Sequence, residues 1–344
     1  MKYSNENIFL IAATSLVMLL LLSCGRHSNV EIVRITPKLV NIAEVENPCF
    51  TSMSLKLDNS YLFCITNCTY KYIWLIDANT LEIAKQFGNK GIARAEFQMP
   101  IELKLSHEID SSVTLYELNL QRIKRIDLSN VFSPNFNVWD AITDSVADKA
   151  LYGICDDISM VSDSILLGQK QTNEDYQIFS YNTYSKQITV IDQYKAFDRE
   201  PVKSSISFFN RCNVISSYKE KSYAIIFKYI NSVSFYDLNN NLIKHNSFEQ
   251  VKPPKNYEEY NTMTQSSNYF NYYYATDNFL FVSRLINSSD RSEIFCFDWN
   301  GNLLKILEMD HKVLIFAVNE QSQELFTLPY ATSGSTIKIS KFTY

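Results

Sequence analysis

Glycine and histidine are scarce in this sequence: its 344 residues include 7 Gly and 4 His. The glycine-rich phosphate-binding and dinucleotide-binding patterns are missing, and so is the Gly-x-Ser-x-Gly pattern of serine hydrolases. No His-x-His, His-Glu-x-x-His or Cys-x-x-Cys spacing occurs, so the sequence shows no local zinc site. We therefore assign no catalytic residue, no cofactor and no metal from motifs.

A basic excess is also missing, because the formal net charge is −5. Nucleic-acid-binding proteins need a basic face that displaces counterions, so we expect no nucleic-acid partner. Aromatic residues are abundant instead, with 22 Tyr and 22 Phe. Aromatic and β-branched residues favour strands, and few stretches show helical spacing. The composition therefore predicts an all-β protein.

Long apolar runs are absent apart from residues 8–22. This run is shorter than the ~20 residues that span a bilayer, but it fits the core of a signal peptide. The Leu-Leu-Ser-Cys junction that follows resembles the lipobox of bacterial lipoproteins, which implies cleavage before Cys24 and a lipid on its thiol. We expect a signal peptide at 1–23 and a lipid-anchored tether at 24–29. A membrane-spanning anchor or a plain secretory leader are the alternatives.

Six cysteines remain after the predicted lipidation site. They are Cys49, Cys64, Cys68, Cys155, Cys212 and Cys296. An even number in an exported protein permits disulfides. However, the chain is long enough to bury a core without them, and free cysteines in apolar strands behave as small hydrophobic residues. We therefore expect buried free thiols.

A strand that ends in Asp or Asn and continues into a polar turn recurs along the chain. The five positions are Asp77, Asp127, Asn182, Asp237 and Asp298, separated by 50, 55, 55 and 61 residues. Asp and Asn favour such turns because their side chains accept hydrogen bonds from backbone N–H groups two residues on. Two further strand-like runs precede most of these hairpins. Four strands in 50 to 60 residues are typical of a β-propeller blade.

The last repeat contains only three strand-like runs before the chain stops at Tyr344. Residues 30–45 are strand-like and belong to no other repeat. A strand from this segment would complete the last blade and remove an exposed sheet edge. We therefore predict one six-bladed propeller of four-stranded blades over residues 30–344, closed by an N-terminal strand. An array of β-sandwiches is the alternative, but it does not explain the recurrence.

Residues 87–100 resemble a signature of the six-bladed, TolB-like and NHL-like propeller lipoproteins of Bacteroidetes, F-G-x-x-G-x-G-P-G-E-F-x-x-P. The matching residues are Phe87, Gly88, Gly91, Glu96, Phe97 and Pro100. Ala93, Arg94 and Ala95 stand where the pattern has Gly, Pro and Gly. The resemblance implies a propeller fold and export to the cell envelope, and it carries no catalytic signature.

Two connections between blades, 88–99 and 250–268, are predicted to be loops on the same face of the ring, opposite the Asp and Asn turns. Their exposed aromatic and charged residues suit stacking and polar contacts with a partner. The candidate binding residues are Lys90, Arg94, Tyr257 and Tyr260.

Two other clusters are interpreted as structural. The aspartates at 140, 144 and 148 have helical spacing, which predicts a solvated helical turn in a loop between blades rather than a calcium site. Phe270, Tyr272 and Tyr274 alternate along a strand, which favours packing against neighbouring blades.

These observations predict a lipid-anchored, non-catalytic binding or scaffolding module for a protein or glycan partner. It would contact the membrane through the lipid on Cys24. The tether lacks the acidic run that resembles a surface-export signal, so we expect the outer membrane facing the periplasm, with the cell surface as the alternative. The competing hypothesis is a propeller lyase or hydrolase with its site at the mouth of the central channel. Histidines or carboxylates converging in the channel would favour that enzyme.

Overall fold

The computed structural model describes residues 32–46, 49–67, 69–105, 111–146, 154–162, 164–171, 176–191, 211–249, 256–266, 268–329 and 336–344. Residues Val33–Tyr344 belong to one compact unit. The predicted signal peptide at 1–23, the tether at 24–29 and Cys24 itself lie outside the described residues. Within the described ranges, no helix combines the length and apolar character needed to cross a bilayer.

Strands dominate the described chain. The first nine are β1 (Val33–Ile35), β2 (Lys38–Glu46), β3 (Phe50–Lys56), β4 (Tyr61–Thr66), β5 (Lys71–Asp77), β6 (Ile83–Lys90), β7 (Glu96–Phe97), β8 (Pro100–Glu102) and β9 (Lys104–Leu105). The next nine are β10 (Ser112–Glu117), β11 (Arg122–Asp127), β12 (Ile142–Val146), β13 (Ile154–Ser162), β14 (Ile165–Gln171), β15 (Tyr176–Asn182), β16 (Ile188–Ile191), β17 (Cys212–Ser217) and β18 (Ser222–Phe227). The last nine are β19 (Ser232–Asp237), β20 (Leu242–Ser247), β21 (Tyr269–Ala275), β22 (Phe279–Ile286), β23 (Arg291–Asp298), β24 (Leu303–Met309), β25 (Val313–Asn319), β26 (Glu324–Pro329) and β27 (Thr336–Thr343). Two helices are described, α1 (Val138–Ala141) and α2 (Tyr257–Ser266).

The strands form six sheets of four or five strands, which confirms the predicted six-bladed propeller. Blade 1 contains β3 to β7, blade 2 contains β8 and β10 to β12, and blade 3 contains β9 and β13 to β16. Blade 4 contains β17 to β20, blade 5 contains β21 to β24 with β1, and blade 6 contains β25 to β27 with β2. The first of the antiparallel strands in a blade lies nearest the channel, as the contacts of β13 with β17, β17 with β21, β21 with β25 and β25 with β3 show.

The core lies between the blades, since each blade buries both faces against its neighbours. Six hydrophobic clusters are described, one at each junction between consecutive blades. The cluster between blades 6 and 1 joins Met53 and Trp74 to Phe326 and Ile339. Because all six junctions are filled, the ring is closed.

The predicted Asp and Asn turns connect the third and fourth strands of their blades. Asp77 is representative: its Oδ1 accepts hydrogen bonds from the N–H groups of Asn79 and Thr80, both at 2.8 Å. Asn240 and Gly301 adopt positive φ angles of 65° and 79° in two of these turns, a conformation that Asn and Gly tolerate well.

The predicted N-terminal closure is confirmed, and it involves two strands rather than one. β2 pairs antiparallel with β27, from Lys38 opposite Thr343 to Glu46 opposite Thr336, and so supplies the fourth strand of blade 6. β1 instead pairs parallel with β24 and extends blade 5. The N-terminal segment therefore joins two neighbouring blades.

Three expectations about local structure need correction. Asp144 does not follow Asp140 on a helix, because the chain becomes extended at Ile142 and Asp144 lies on β12. Residues 257–266 of the connection at 250–268 form α2 rather than a loop, and the side chain of Asn256 accepts a hydrogen bond from the N–H of Glu259.

The third correction concerns cysteine. Cys64, Cys212 and Cys296 are buried free thiols, as expected. Cys49 is disulfide-bonded, which the expectation of free thiols missed. Its partner sulfur lies outside the described side chains.

Candidate functional site

The alternation of strands gives the ring two distinct faces. We call the face with the connections between blades and the turns between second and third strands the connector face. We call the opposite face, with the turns between first and second and between third and fourth strands, the hairpin face. The candidate residues of both connections belong to the connector face by this topology.

The segment 87–100 is held in place by its own motif residues. Gly88 has a φ of +74°, and a Cβ atom there would lie 2.5 Å from the ring of Phe97. A Cβ atom at Gly91 would lie 2.0 Å from the carboxylate of Glu96. The same carboxylate accepts a hydrogen bond of 3.0 Å from the N–H of Ala93. The matched residues therefore shape a tight turn rather than a catalytic site.

Blade 2 fixes this segment with a buried pair of charges, which we call the clamp: Glu117 and Lys124. The Lys124 ammonium donates hydrogen bonds to the carbonyl oxygens of Ala93 and Glu96. It also lies 4.8 Å from the centre of the Phe97 ring. These contacts replace the water that the charge loses on burial.

The carboxylate of the clamp holds the end of the same segment. Oε2 of Glu117 accepts hydrogen bonds from the N–H groups of Gln98 at 3.1 Å and Met99 at 3.2 Å. Burial raises the pKa of Glu117 and lowers the pKa of Lys124. Both directions reflect the cost of keeping a charge away from water, which the two groups reduce for each other.

The four predicted binding residues do not form one patch. Lys90 and Arg94 are exposed on the connection between blades 1 and 2, whereas Tyr257, 59% exposed, begins α2 between blades 4 and 5. These junctions are three blade positions apart, on opposite sides of a six-bladed ring. The side chain of Tyr260 lies outside the described parts of the chain.

Arg94 has an intramolecular role in addition to its exposure. Its guanidinium donates a hydrogen bond to the carbonyl oxygen of Trp139 and lies 6.0 Å from the centre of that indole ring. A partner that used the guanidinium would compete with these contacts.

Two exposed residues near Lys90 escaped the sequence analysis. Tyr70 is 74% exposed and Ile92 is 65% exposed. Lys71 of β5 pairs with Asn89 of β6. Tyr70 directly precedes the first of these residues and Lys90 directly follows the second. In an antiparallel pair, both therefore stand at the same end of β5 and β6. We call Tyr70, Lys90 and Ile92 the blade 1 patch. The sequence feature that could have indicated this patch is Tyr70, because it is an aromatic residue in an otherwise polar turn.

The channel is partly filled by side chains that satisfy the free edges of the first strands. The hydroxyl oxygens of Tyr272 and Tyr274 accept hydrogen bonds of 3.3 Å from the N–H groups of Met53 and Leu55, which belong to β3. Asn271 likewise donates to the carbonyl oxygen of Val313 on β25 at 2.9 Å. The predicted packing of Tyr272 and Tyr274 against neighbouring blades is confirmed, and their hydroxyls add polar contacts that alternation does not predict.

A cavity of about 180 Å³ remains in the channel. It is lined by Ser54, Leu55, Lys56, Glu102, Ile215, Ser216, Tyr274, Ala275, Thr276 and Asp277. Lys56, Glu102 and Ala275 are the last residues of their first strands, so the cavity lies toward the hairpin face. It is therefore separate from the predicted binding residues of the connector face.

Glu102 is the buried acid of this cavity, with a side chain that is 5% exposed. Its Oε1 accepts a hydrogen bond of 2.8 Å from the Ser54 hydroxyl and lies 3.6 Å from the Lys56 ammonium nitrogen. Its Oε2 is buried and has no hydrogen-bond partner among the described residues. Burial raises the pKa of the Cys64 thiol, and the Glu102 carboxylate adds to that rise. No motif in the sequence marks Glu102.

The cavity does not contain the usual elements of hydrolytic catalysis. Its lining includes no histidine, and its second carboxylate, Asp277, is exposed. Among the described residues, no group of three or more His, Cys, Asp or Glu side chains is placed to hold a metal ion. The arrangement offers an acceptor for a hydrogen-bond donor rather than a paired acid and base.

Comparison with known proteins gives a structural similarity only. No family model and no curated protein matches the chain. The fold is similar to the crystal structure of a member of the DUF4221 family from Bacteroides vulgatus, with a TM-score of 0.63 and 11% identity over 89% of this chain and 97% of that chain. A hydrazine synthase structure from Kuenenia stuttgartiensis has a TM-score of 0.43 and 12% identity over 81% of this chain and 73% of that chain, too distant to bear on the fold. The similarity to the DUF4221 structure supports the six-bladed fold. Its sequence identity is too low to indicate an activity.

Proposed function

We propose that this protein is a lipid-anchored binding module of the bacterial cell envelope, built on a non-catalytic propeller of the TolB-like and NHL-like class. The observation that carries the proposal is the blade 1 patch, in which an aromatic and a basic side chain are exposed at the same end of the β5–β6 pair and an exposed aliphatic residue follows two positions later. Aromatic residues dominate binding energy at protein interfaces.

The composition of the patch favours a protein over a glycan. An exposed Ile92 offers apolar area that a sugar ring, with hydroxyls around its rim, uses poorly. Lys90 is the last residue of β6, and the clamp holds the backbone of the connector from Ala93 to Met99, just after Ile92, so little conformational entropy is lost when a partner binds. Tyr257 stands apart from this patch and is proposed as a second, separate contact.

The envelope location is supported by the disulfide at Cys49, because disulfides persist in oxidising compartments such as the periplasm. Anchoring rests on the lipobox-like junction at Cys24, and the periplasmic side of the outer membrane is the proposed location. Cys24→Ala should leave an unprocessed precursor that no longer incorporates a fatty-acid probe in growing cells. Equal incorporation into the variant would contradict the proposed anchor.

The partner surface can be tested in cells with a photo-crosslinking amino acid placed at position 70 of the full-length protein. We expect a discrete protein adduct from position 70. Position 184 is the matched control, because Tyr184 is 78% exposed in the β15–β16 turn on the hairpin face. Equal adducts from both positions would contradict a specific surface, and the absence of any protein adduct would shift the proposal to a glycan.

Alanine substitution gives the corresponding affinity test. Tyr70→Ala with Lys90→Ala should weaken capture of the crosslinked partner by roughly thirtyfold, since a hot spot contributes ~2 kcal/mol or more. The melting temperature should stay nearly unchanged because both side chains are exposed. A comparable loss in Tyr184→Ala would show that the effect is not local to the patch.

A further inference from the structure

The N-terminal strands β1 and β2 expose aliphatic side chains that the proposed partner surface does not use. We propose that these side chains contact the lipid bilayer, so that the propeller lies edge-on to the membrane at the junction between blades 5 and 6. The inference rests on the proposed lipid anchor at Cys24 and adds a non-covalent contact to it. An edge-on orientation leaves the connector face, and with it the blade 1 patch, open to a partner.

β2 exposes three aliphatic residues, Leu39, Val40 and Ile42, which are 51%, 56% and 47% exposed. Leu39 lies opposite Phe342 of β27, and Phe342 belongs to the hydrophobic cluster between blades 5 and 6. Residues directly opposite each other on paired strands share one side of the sheet. Leu39 therefore lies on the side of blade 6 that faces blade 5.

A β-bulge brings the other two residues to the same side. The register of β2 shifts between Leu39 and Asn41, so Val40 is an extra residue in the strand. Ala43 packs against the cluster between blades 6 and 1. Because successive side chains alternate, Ile42 faces the opposite way, toward blade 5, and so does Val40 two positions earlier.

β1 contributes one residue from across the same junction. Ile35 packs against the cluster between blades 5 and 6, and Val33, two positions earlier and 53% exposed, shares its side of the strand. β1 and β2 are the outermost strands of blades 5 and 6, so these residues border the junction at the outer rim. We call Val33, Leu39, Val40 and Ile42 the rim patch.

The covalent link to the anchor points to the bilayer as the occupant. Aliphatic residues are exposed on other outermost strands too, so exposure alone does not identify what covers the patch. Val33, however, follows Cys24 by nine positions, which span at most about 32 Å in any conformation. A lipid on Cys24 would keep the rim patch within that distance of the bilayer surface. Such a tether gives the patch a high effective concentration at lipid, so a weak apolar contact is sufficient.

The chemistry of the rim patch also suits a bilayer. Aliphatic side chains are buried favourably at the boundary between headgroups and acyl chains. The patch has none of the aromatic residues that are enriched at protein interfaces. Glu44, the next residue on this side of β2, is paired with Lys338 at 3.4 Å, so its charge does not approach the lipid alone.

The test uses a fluorescent amino acid at position 40 of the protein, purified with its anchor and reconstituted in vesicles of phosphatidylethanolamine and phosphatidylglycerol with brominated acyl chains. Bromine quenches fluorescence over short distances only, so we expect quenching at position 40. Position 190 is the matched control. Val190 is 52% exposed on β16 and lies opposite Phe179, at the junction between blades 2 and 3 on the far side of the ring. Equal quenching at the two positions, or none at position 40, would overturn the proposal.

Substitutions then test the patch as a unit, with the fluorophore at position 33. Leu39→Ser with Ile42→Ser should reduce the quenching, whereas Ile188→Ser with Val190→Ser should leave it unchanged. Equal effects of the two pairs would overturn the proposal. The comparison of positions 40 and 190 needs neither pair, so it decides the matter if the substitutions impair folding. A covalent dimer from a photo-crosslinker at position 40, in place of lipid adducts, would assign the patch to a second copy of the chain.

Failure of the anchor gives a different result from failure of the docking. Protein that carries no fatty acid, as the comparison with Cys24→Ala would reveal, contradicts the anchor and the docking together. Protein that carries fatty acid but stays unquenched at position 40 contradicts the docking alone.

Discussion

The clamp between blades 1 and 2 and the cavity in the channel both combine a glutamate with a lysine from another strand. Glu117 and Lys124 form the clamp, and Glu102 and Lys56 stand in the cavity. Each glutamate leaves one buried carboxylate oxygen without a hydrogen-bond partner among the described residues. The surroundings differ: the clamp binds backbone groups of the connector in a packed interior, whereas Glu102 borders open space.

This difference indicates how a buried charge should be interpreted. In the clamp, the carboxylate and the ammonium hold four backbone groups, so their role is to fix a turn. Beside the cavity, the Glu102 carboxylate accepts a hydrogen bond from the Ser54 hydroxyl and lies near the Lys56 ammonium, so side chains rather than backbone groups hold it. A buried carboxylate that holds backbone groups therefore fixes a turn, whereas one held by side chains at the edge of a cavity can rearrange with its partners.

The clamp and the cavity pair should differ most in how much their lysines contribute to the stability of the protein. Lys124→Met should destabilise the protein by about 3–5 kcal/mol, because it leaves the buried Glu117 without its neighbouring cation and the carbonyl oxygens of Ala93 and Glu96 without their donor. Lys56→Met should cost less, about 1 kcal/mol, because the Ser54 hydroxyl still donates to Glu102 and the Lys56 nitrogen, 3.6 Å from that carboxylate, makes no hydrogen bond to it. Urea unfolding of both variants measures the two values. Equal losses would show that the cavity is as dry and closed as the clamp.

The same contrast applies to two tyrosine hydroxyls on one strand. Tyr272→Phe should cost about 1–3 kcal/mol, because it leaves the buried N–H of Met53 without its acceptor. Tyr274→Phe should cost less, because Tyr274 lines the cavity and water there can accept from the N–H of Leu55. Thermal unfolding measures the loss of stability in each variant. A larger loss in Tyr274→Phe than in Tyr272→Phe would contradict the placement of Tyr274 beside the cavity.

Much of the fold was predictable from the sequence, because its signals are local and repeated. Turns like the one at Asp77 occur five times along the chain. The last repeat lacks a fourth strand, which predicted that an N-terminal strand, now identified as β2, completes blade 6. The extra pairing of β1 with blade 5 has no such signal. α1 ends at Ala141 because Ile142 pairs with Ile126 in blade 2, which overrides the helical spacing of the aspartates.

The candidate sites were less predictable, because they are assembled by the ring. Glu102 bonds to Ser54 and shares a cavity with Ser216 only because first strands from three blades end at the same place in the channel. Conversely, the ring places Lys90 and Tyr257 on opposite sides, although both belong to similar connections. Sequence position specifies the strand and the turn, but contacts across a ring depend on blade order and on where each strand ends.

A smaller effect is expected in the pH dependence of stability. Burial raises the pKa of Glu117, so the folded protein binds this proton more readily than the unfolded chain does. Stability should therefore fall as the pH rises from about 4.3, the unfolded value, through the raised pKa, by at most about 1.4 kcal/mol per pH unit. Glu117→Gln should flatten the curve in that window. An unchanged curve would show that burial of Glu117 does not govern its proton affinity.

Glu102 lines a cavity, whereas Glu117 is fully buried in a packed interior. The ¹³C resonances of the two side-chain carboxylates test this difference most directly, in protein with labelled glutamate, assigned with the Glu→Gln variants and measured with a neutral paramagnetic relaxation agent in solution. We expect the agent to relax the Glu102 resonance more strongly than the Glu117 resonance. Equal relaxation of both carboxylates, or stronger relaxation at Glu117, would show that Glu102 is no closer to solvent than the clamp is.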